Sequence, residues 1–174
     1  MFYPDLNTVK ELSGKYNVIP VSMEVYADTE TPISLFKRFR DDKYCFLLES
    51  VEGGEKWARY SFIGRDPFIV VKSINKENHV QYRNGEIKVI PGSPVDALRK
   101  VLEAYRGAKI AGIPRFNGGA VGYFGYDIVR YHEKLPDSTV NDLGLPESHF
   151  MIVDEVLAFD HLKQKIHIIA NMFA

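Results

Sequence analysis

The spacing of apolar positions changes several times along this chain, and each change predicts an element. Ile33, Phe36 and Phe39 recur three residues apart, which gives one apolar helix face. Thr31 stands before them as an N-cap, and Pro32 suits the first helical position, where an N–H is not needed. "NTVKELSGK" (Asn7 to Lys15) predicts a short N-capped helix ending near Gly14. "GSPVDALRKVLEAYRG" predicts a longer one, with Ser93 as cap, Pro94 in the first turn and Gly107 past the end. Val95, Leu98, Val101, Leu102 and Tyr105 line its apolar face.

Elsewhere the pattern is strand-like. "NVIPVSMEVY" reads as a strand in which Pro20, lacking an N–H, predicts an edge or a break. "YCFLLESV" is nearly continuous apolar; "RYSFIG" and "FIVVKS" follow, separated by the turn signal "GRDP". "HVQYRNGEIKVI" predicts a hairpin with Asn84 and Gly85 both at positive φ. "FNGGAVGYFGYDIVRYHEKLP" predicts a strand and then a helix from Tyr126. "SHFMIVDEVLAFD" and "KIHIIANMF" form a long hairpin turning at "HLKQ". Pro114 and "PDSTVNDLGLP" mark loops. Strands and helices do not alternate, so the expected class is α+β: a largely antiparallel sheet flanked by helices.

Composition narrows the function. The 174 residues predict one domain, and 45% hydrophobic content can bury a core. A net charge of −1 with no basic stripe argues against a nucleic-acid partner. The single cysteine, Cys45, sits in an apolar run with no basic neighbour, as a small hydrophobe does and a nucleophile does not. It fits a reducing compartment. The N-terminal "MFYPDLNTVKEL" lacks a signal-peptide pattern and no apolar run approaches a membrane span, so the expectation is a cytoplasmic protein without membrane contact. The bare apolar ending "KIHIIANMFA" reads as the cut end of something longer.

Catalytic patterns are missing. His79, His132, His149, His161 and His167 show no metal-type pairing and read as loop or strand-surface residues. Gly119, Gly122 and Gly125 in "NGGAVGYFGYD" match neither a dinucleotide fingerprint nor a phosphate loop, and are read as close-packing glycines. Asp127 and Arg130 form a surface pair if a helix begins at Tyr126. The stretch "CFLLESVEGGEKWARYSFIG" is different. Alternation sends Leu47 and Glu49 to one face, Leu48 and Ser50 to the other. A glutamate buried there would need a cation, either an arginine such as Arg59 or Arg65, or a ligand ammonium. Either Glu49 leaves the sheet as the strand ends, or it holds an amino-acid-like ligand whose apolar body rests on the leucines.

"TPISLFKRF", "FLLESVEGGEKWARYSFIG", "GGAVGYFGYDIVRYHEKLP" and "MIVDEVLAFDH", in that order, resemble the N-terminal domain of anthranilate synthase component I, over about Val18 to Ile169. The resemblance implies that residues 1–174 are the N-terminal portion of a chorismate-utilising enzyme, part of an intertwined α/β sandwich. Its catalytic residues and magnesium (Mg2+) site lie in a following half, so this portion alone carries neither and is inactive. The family's reaction, a lyase step in tryptophan biosynthesis, converts chorismate and ammonia to anthranilate and pyruvate. The ammonia comes from glutamine through a separate amidotransferase subunit, component II. Tryptophan is the feedback inhibitor, and the tetrad carried over as Leu47, Leu48, Glu49 and Ser50 forms the N-terminal wall of its site, Ser50 foremost. Component I of aminodeoxychorismate synthase, in the folate pathway, shares this domain but tends to carry Asp at the position of Glu49. Trp57 stands where the family varies and receives no role. A stand-alone amino-acid-binding module and a ligand-free interaction domain are the remaining readings.

Overall fold

The computed structural model describes residues 1–49, 59–136 and 143–174. The chain divides into two compact units. The first comprises Met1–Pro67, Tyr105–Gly119 and Val153–Ala174; the second comprises Phe68–Ala104 and Ala120–Ile152. Each unit is organised around a sheet whose registered ladders run antiparallel, so the α+β class holds with two sheets.

In the first unit the strand order is β1-β2-β11-β10-β4-β3. These strands are β1 (Phe2–Tyr3), β2 (Val18–Tyr26), β3 (Cys45–Leu48), β4 (Tyr60–Arg65), β10 (Glu155–Asp160) and β11 (Lys165–Phe173). β2 pairs with β11 along its whole length, Pro20 included. Pro20 therefore marks no break, but it does fall where β2 has a ladder on one side alone. On the other side β1 reaches only Ser22 and Met23, so no second ladder needs an N–H from Pro20. Helix α1 (Leu6–Ser13) starts earlier than expected, because Asp5 rather than Asn7 is the cap: its carboxylate accepts from Thr8 N at 2.8 Å. Helix α2 (Pro32–Lys37) has the predicted Thr31 cap, and Ser34 completes a reciprocal box. Val9, Ile19 and Ala108 form one apolar cluster, and Ala27, Phe159 and Ile166 another, with Leu35 of α2 packed on it.

The second unit has the order β7-β6-β5-β9-β8. Its strands are β5 (Ile69–Ile74), β6 (Glu77–Tyr82), β7 (Ile87–Ile90), β8 (Gly119–Phe124) and β9 (Ser148–Val153). The expected hairpin is present as β6–β7, but its turn differs: Gly85 alone has positive φ, and Asn84 Oδ1 accepts from Glu86 N instead. The pair of positive-φ residues falls one hairpin earlier, at Asn75 and Lys76 between β5 and β6. Helix α3 (Pro94–Leu102) carries the Ser93 cap and ends well before Gly107. The segment after β8 is a 3₁₀ turn, Tyr126–Tyr131, in which Asp127 and Arg130 pair at 3.1 Å as a surface couple.

The segment read as one strand of the final hairpin is two. It breaks at Asp154, β9 joining the second unit's sheet and β10 the first's; the β10–β11 hairpin itself closes over residues 161–164 as expected. Gly122 packs as predicted, since a Cβ there would lie 2.0 Å from the His149 carbonyl. Gly119 meets nothing within 4 Å; its reason is a φ of +120°.

Candidate ligand site at the end of the third strand

β3 is held in register by β4, with Phe46 opposite Gly64, Leu47 opposite Ile63 and Leu48 opposite Phe62. The ladder stops there. Leu47 is half-buried, Leu48 is 43% exposed and Glu49 is exposed. Ser50 and Trp57 lie outside the described residues. Leu47, Leu48 and Glu49 thus meet at one strand end, and Glu49 leaves the sheet facing water rather than entering the core. The desolvation penalty that would demand a buried cation does not arise.

An aromatic wall stands on the Phe46–Leu48 side. Phe116 packs edge-on against Phe62 at 5.2 Å and Phe46 at 6.3 Å, and Phe62 lies 5.9 Å from Tyr60. Gly64 makes this possible, because a Cβ on it would come within 2.3 Å of the Phe46 ring. The aromatic wall and the carboxylate therefore meet at one strand end, on opposite faces of the sheet.

The polar side is built from residues remote in sequence. Ser61, 2% exposed, places its Oγ 2.8 Å from His161 Nε2 and 3.5 Å from Glu49 Oε1. The His161 ring rests on Phe159, centroids 4.8 Å apart. Next to it, Arg59 Nε and Nη2 donate to Asp160 Oδ1 and Oδ2 at 3.1 and 2.6 Å. The same carboxylate accepts from Leu162 N and Lys163 N in the β10–β11 turn. Asp160 is fully buried. Burial pushes its pKa up, but the Arg59 hydrogen bonds and the turn N–H groups outweigh that and hold it below the ordinary carboxylate range. Hydrogen bonding to Asp160 raises Arg59 in turn. The guanidinium lies 4.9 Å over the Tyr60 ring.

Neither arginine weighed for Glu49 serves it. Arg59 is taken by Asp160, and Arg65 pairs with Asp42 at 3.1 Å while lying over Phe39. His161 is on the surface as expected, but His167 is not: it is 2% exposed, and burial lowers its pKa. Cys45 is half-buried with its thiol pushed up by burial and by Asp42, consistent with an inert side chain. Ser61 is too enclosed to act as a nucleophile on a substrate. Sequence reasoning missed Ser61, His161 and Asp160 because these contacts span about a hundred positions. The only local hint is that "RYSFIG" and "LAFDH" are both strands.

A depression of about 310 Å³ lined by Phe39, Ile63, Arg65, Leu157 and Ile168 does not include Leu47, Leu48 or Glu49. Among the described residues no group of three or more His, Cys, Asp or Glu could hold a metal. No helix among them is long and apolar enough to cross a membrane.

Residues 43–173 match the family of chorismate binding enzymes. The chain is 59% identical over 172 residues to anthranilate synthase component 1 of Acetivibrio thermocellus, covering 99% of this chain and 35% of that protein. It is 43% identical over 159 residues to the protein of the same name from Pseudomonas putida, covering 88% and 32%. The crystal structure of anthranilate synthase component I from Streptococcus pneumoniae TIGR4 superimposes with a TM-score of 0.55 at 29% identity, over 84% of this chain and 31% of that one. The chain spans about a third of the length of these relatives.

Proposed function

We propose, for a chain that belongs to the chorismate-binding enzyme family, that it supplies the N-terminal portion of an anthranilate synthase component I and one wall of a tryptophan inhibitor site. The observation that carries this is the 59% identity to anthranilate synthase component 1 of Acetivibrio thermocellus across 99% of this chain. The whole enzyme would convert chorismate and ammonia to anthranilate and pyruvate. The ammonia would come from glutamine through component II. Magnesium and the catalytic residues would belong to the chorismate-binding remainder.

In this reading the exposed Glu49 carboxylate receives the inhibitor's ammonium, Ser50 orients its polar head, and the leucines of the tetrad, Leu47 and Leu48, take the apolar body. Inhibition then requires tryptophan to favour one of two arrangements of the whole enzyme. Half a pocket has no second arrangement to favour, so the 174-residue chain alone should bind tryptophan weakly and turn over no chorismate.

A chimera tests this. Residues 1–174 replace the matching third of the Acetivibrio thermocellus protein, and anthranilate fluorescence is followed with ammonia supplied. Turnover inhibited by tryptophan is expected. Ser50→Ala should weaken inhibition roughly tenfold, equivalent to one hydrogen bond of about 1.4 kcal/mol, with uninhibited turnover near native. An unchanged inhibition curve sinks the assignment. Micromolar tryptophan affinity of the chain alone would instead favour a stand-alone amino-acid-binding module.

A further inference from the structure

We propose that Ser61 and His161 are positioning residues for the Glu49 carboxylate, joined to it by a directed hydrogen-bond relay. The inference rests on the reading of Glu49 as the ligand-facing charge.

A carboxylate at an exposed strand end rotates freely, and a ligand that fixes it must overcome that freedom. Here one oxygen is already addressed. Ser61 Oγ stands 3.5 Å from Glu49 Oε1 and 2.8 Å from His161 Nε2. The hydroxyl has one proton to give, and an ionised carboxylate can only accept. In the proposed relay Ser61 gives its proton to Glu49, and its lone pair accepts from a His161 ring that carries its proton on Nε2. The donors then run one way, His161 Nε2–H to Ser61 and Ser61 O–H to Glu49.

The base of this relay is rigid. The His161 ring lies on Phe159, and its backbone N–H donates to Arg59 O at 2.9 Å. The turn that carries His161 is tied down by Asp160, which accepts from Leu162 N and Lys163 N. The long last link leaves slack that a cation on Glu49 would take up. Charge arriving at Glu49 is thereby felt at His161, 112 positions along the chain. Residues 59–61 and 159–163 thus place the carboxylate without touching the ligand.

Nitrogen-15 imidazole spectra of the 174-residue chain test the relay. A protonated Nε2 is expected on the neutral His161 ring. Glu49→Gln should shift that signal in the native background and not in a Ser61→Ala background, and Ser61→Thr should restore the response. A bare Nε2, or an equal Glu49→Gln shift with and without Ser61, overturns the proposal. If Ser61→Ala does not fold, the response of Nε2 to Glu49→Gln decides alone: movement supports the relay and no movement overturns it. Tryptophan inhibition of the chimera separates this from the site reading. A relay in a chimera blind to tryptophan removes tryptophan as the ligand only. Tryptophan inhibition with an unmoved Nε2 removes the relay only.

Discussion

Asp160→Asn should destabilise β4 and β10 and remove an acid-sensitive part of their stability. The carboxylate is fully buried and accepts two hydrogen bonds from Arg59 and two from the following turn. Asparagine keeps one oxygen, enough for a turn N–H, but turns an amino group toward the Arg59 donors. Removing one partner of a buried ion pair costs about 3–5 kcal/mol. Arg59 is 32% exposed, so water recovers part of the guanidinium's solvation, and about 2–3 kcal/mol is the expected loss.

The pH dependence has a definite sign. Asp160 titrates below its ordinary value when folded, because the Arg59 and turn hydrogen bonds outweigh the upward push of burial. The unfolded chain therefore binds the proton more readily. The stabilisation is fully present above the unfolded carboxyl pKa of about 3.9 and is lost as pH falls through the lower folded value. Hydrogen exchange of the Tyr60–Arg65 and Glu155–Asp160 amides is the assay. A loss of 2–3 kcal/mol accelerates exchange through unfolding by roughly 30- to 150-fold at neutral pH, and the gap to the native chain should narrow in acid. Exchange within a factor of about three at neutral pH, or an undiminished gap in acid, would refute the argument.

Two predictions concern the second unit. Asn78, 1% exposed, accepts from Ser73 Oγ and donates to the carbonyls of Ile90 and Gly92, so Asn78→Ala should cost about 3–5 kcal/mol, read as faster exchange in β5 and β6. Gly122→Ala forces a methyl to 2.0 Å from the His149 carbonyl and should cost more than about 3 kcal/mol. Gly85→Ala, with φ at +91° and open space around it, should cost only about 1–2 kcal/mol. Equal costs for the two alanines, measured by denaturant unfolding, would contradict the steric argument.

What the sequence made legible was local. Thr31-Pro32 and Ser93-Pro94 announced their helices because a cap and its helix are neighbours. The β6–β7 hairpin was legible, but its neighbour was missed, because Asn75-Lys76 adopts the two positive φ angles without a glycine to signal them. The break at Asp154 left no trace, since "MIVDEVLAF" keeps an apolar rhythm while the chain passes from one sheet to the other. At the candidate site alternation assigned Leu48 and Glu49 to opposite faces but did not decide whether Glu49 ended the strand or held a ligand. Ser61–His161 and Arg59–Asp160 were not legible, because no periodicity relates residues about a hundred positions apart.

The Arg59–Asp160 pair also bears on the proposed role of Glu49 as a charged receptor. Arg59 lies two residues from Ser61, the residue that touches Glu49. A free guanidinium there would be the natural partner for the carboxylate, and an incoming ammonium would have to displace a bidentate pair. Asp160 prevents this by taking both faces of the fork at 3.1 and 2.6 Å. Among the described residues Glu49 is left with a neutral hydroxyl, which orients a carboxylate without cancelling its charge. Asp160→Asn should then have a second consequence in the chimera. The released Arg59 competes for Glu49, and tryptophan inhibition weakens. Arg59→Met in the same background removes the competitor and should restore inhibition even though stability stays low. Inhibition that tracks stability alone across these variants would show that Asp160 supports the fold and has no hand in keeping Glu49 open.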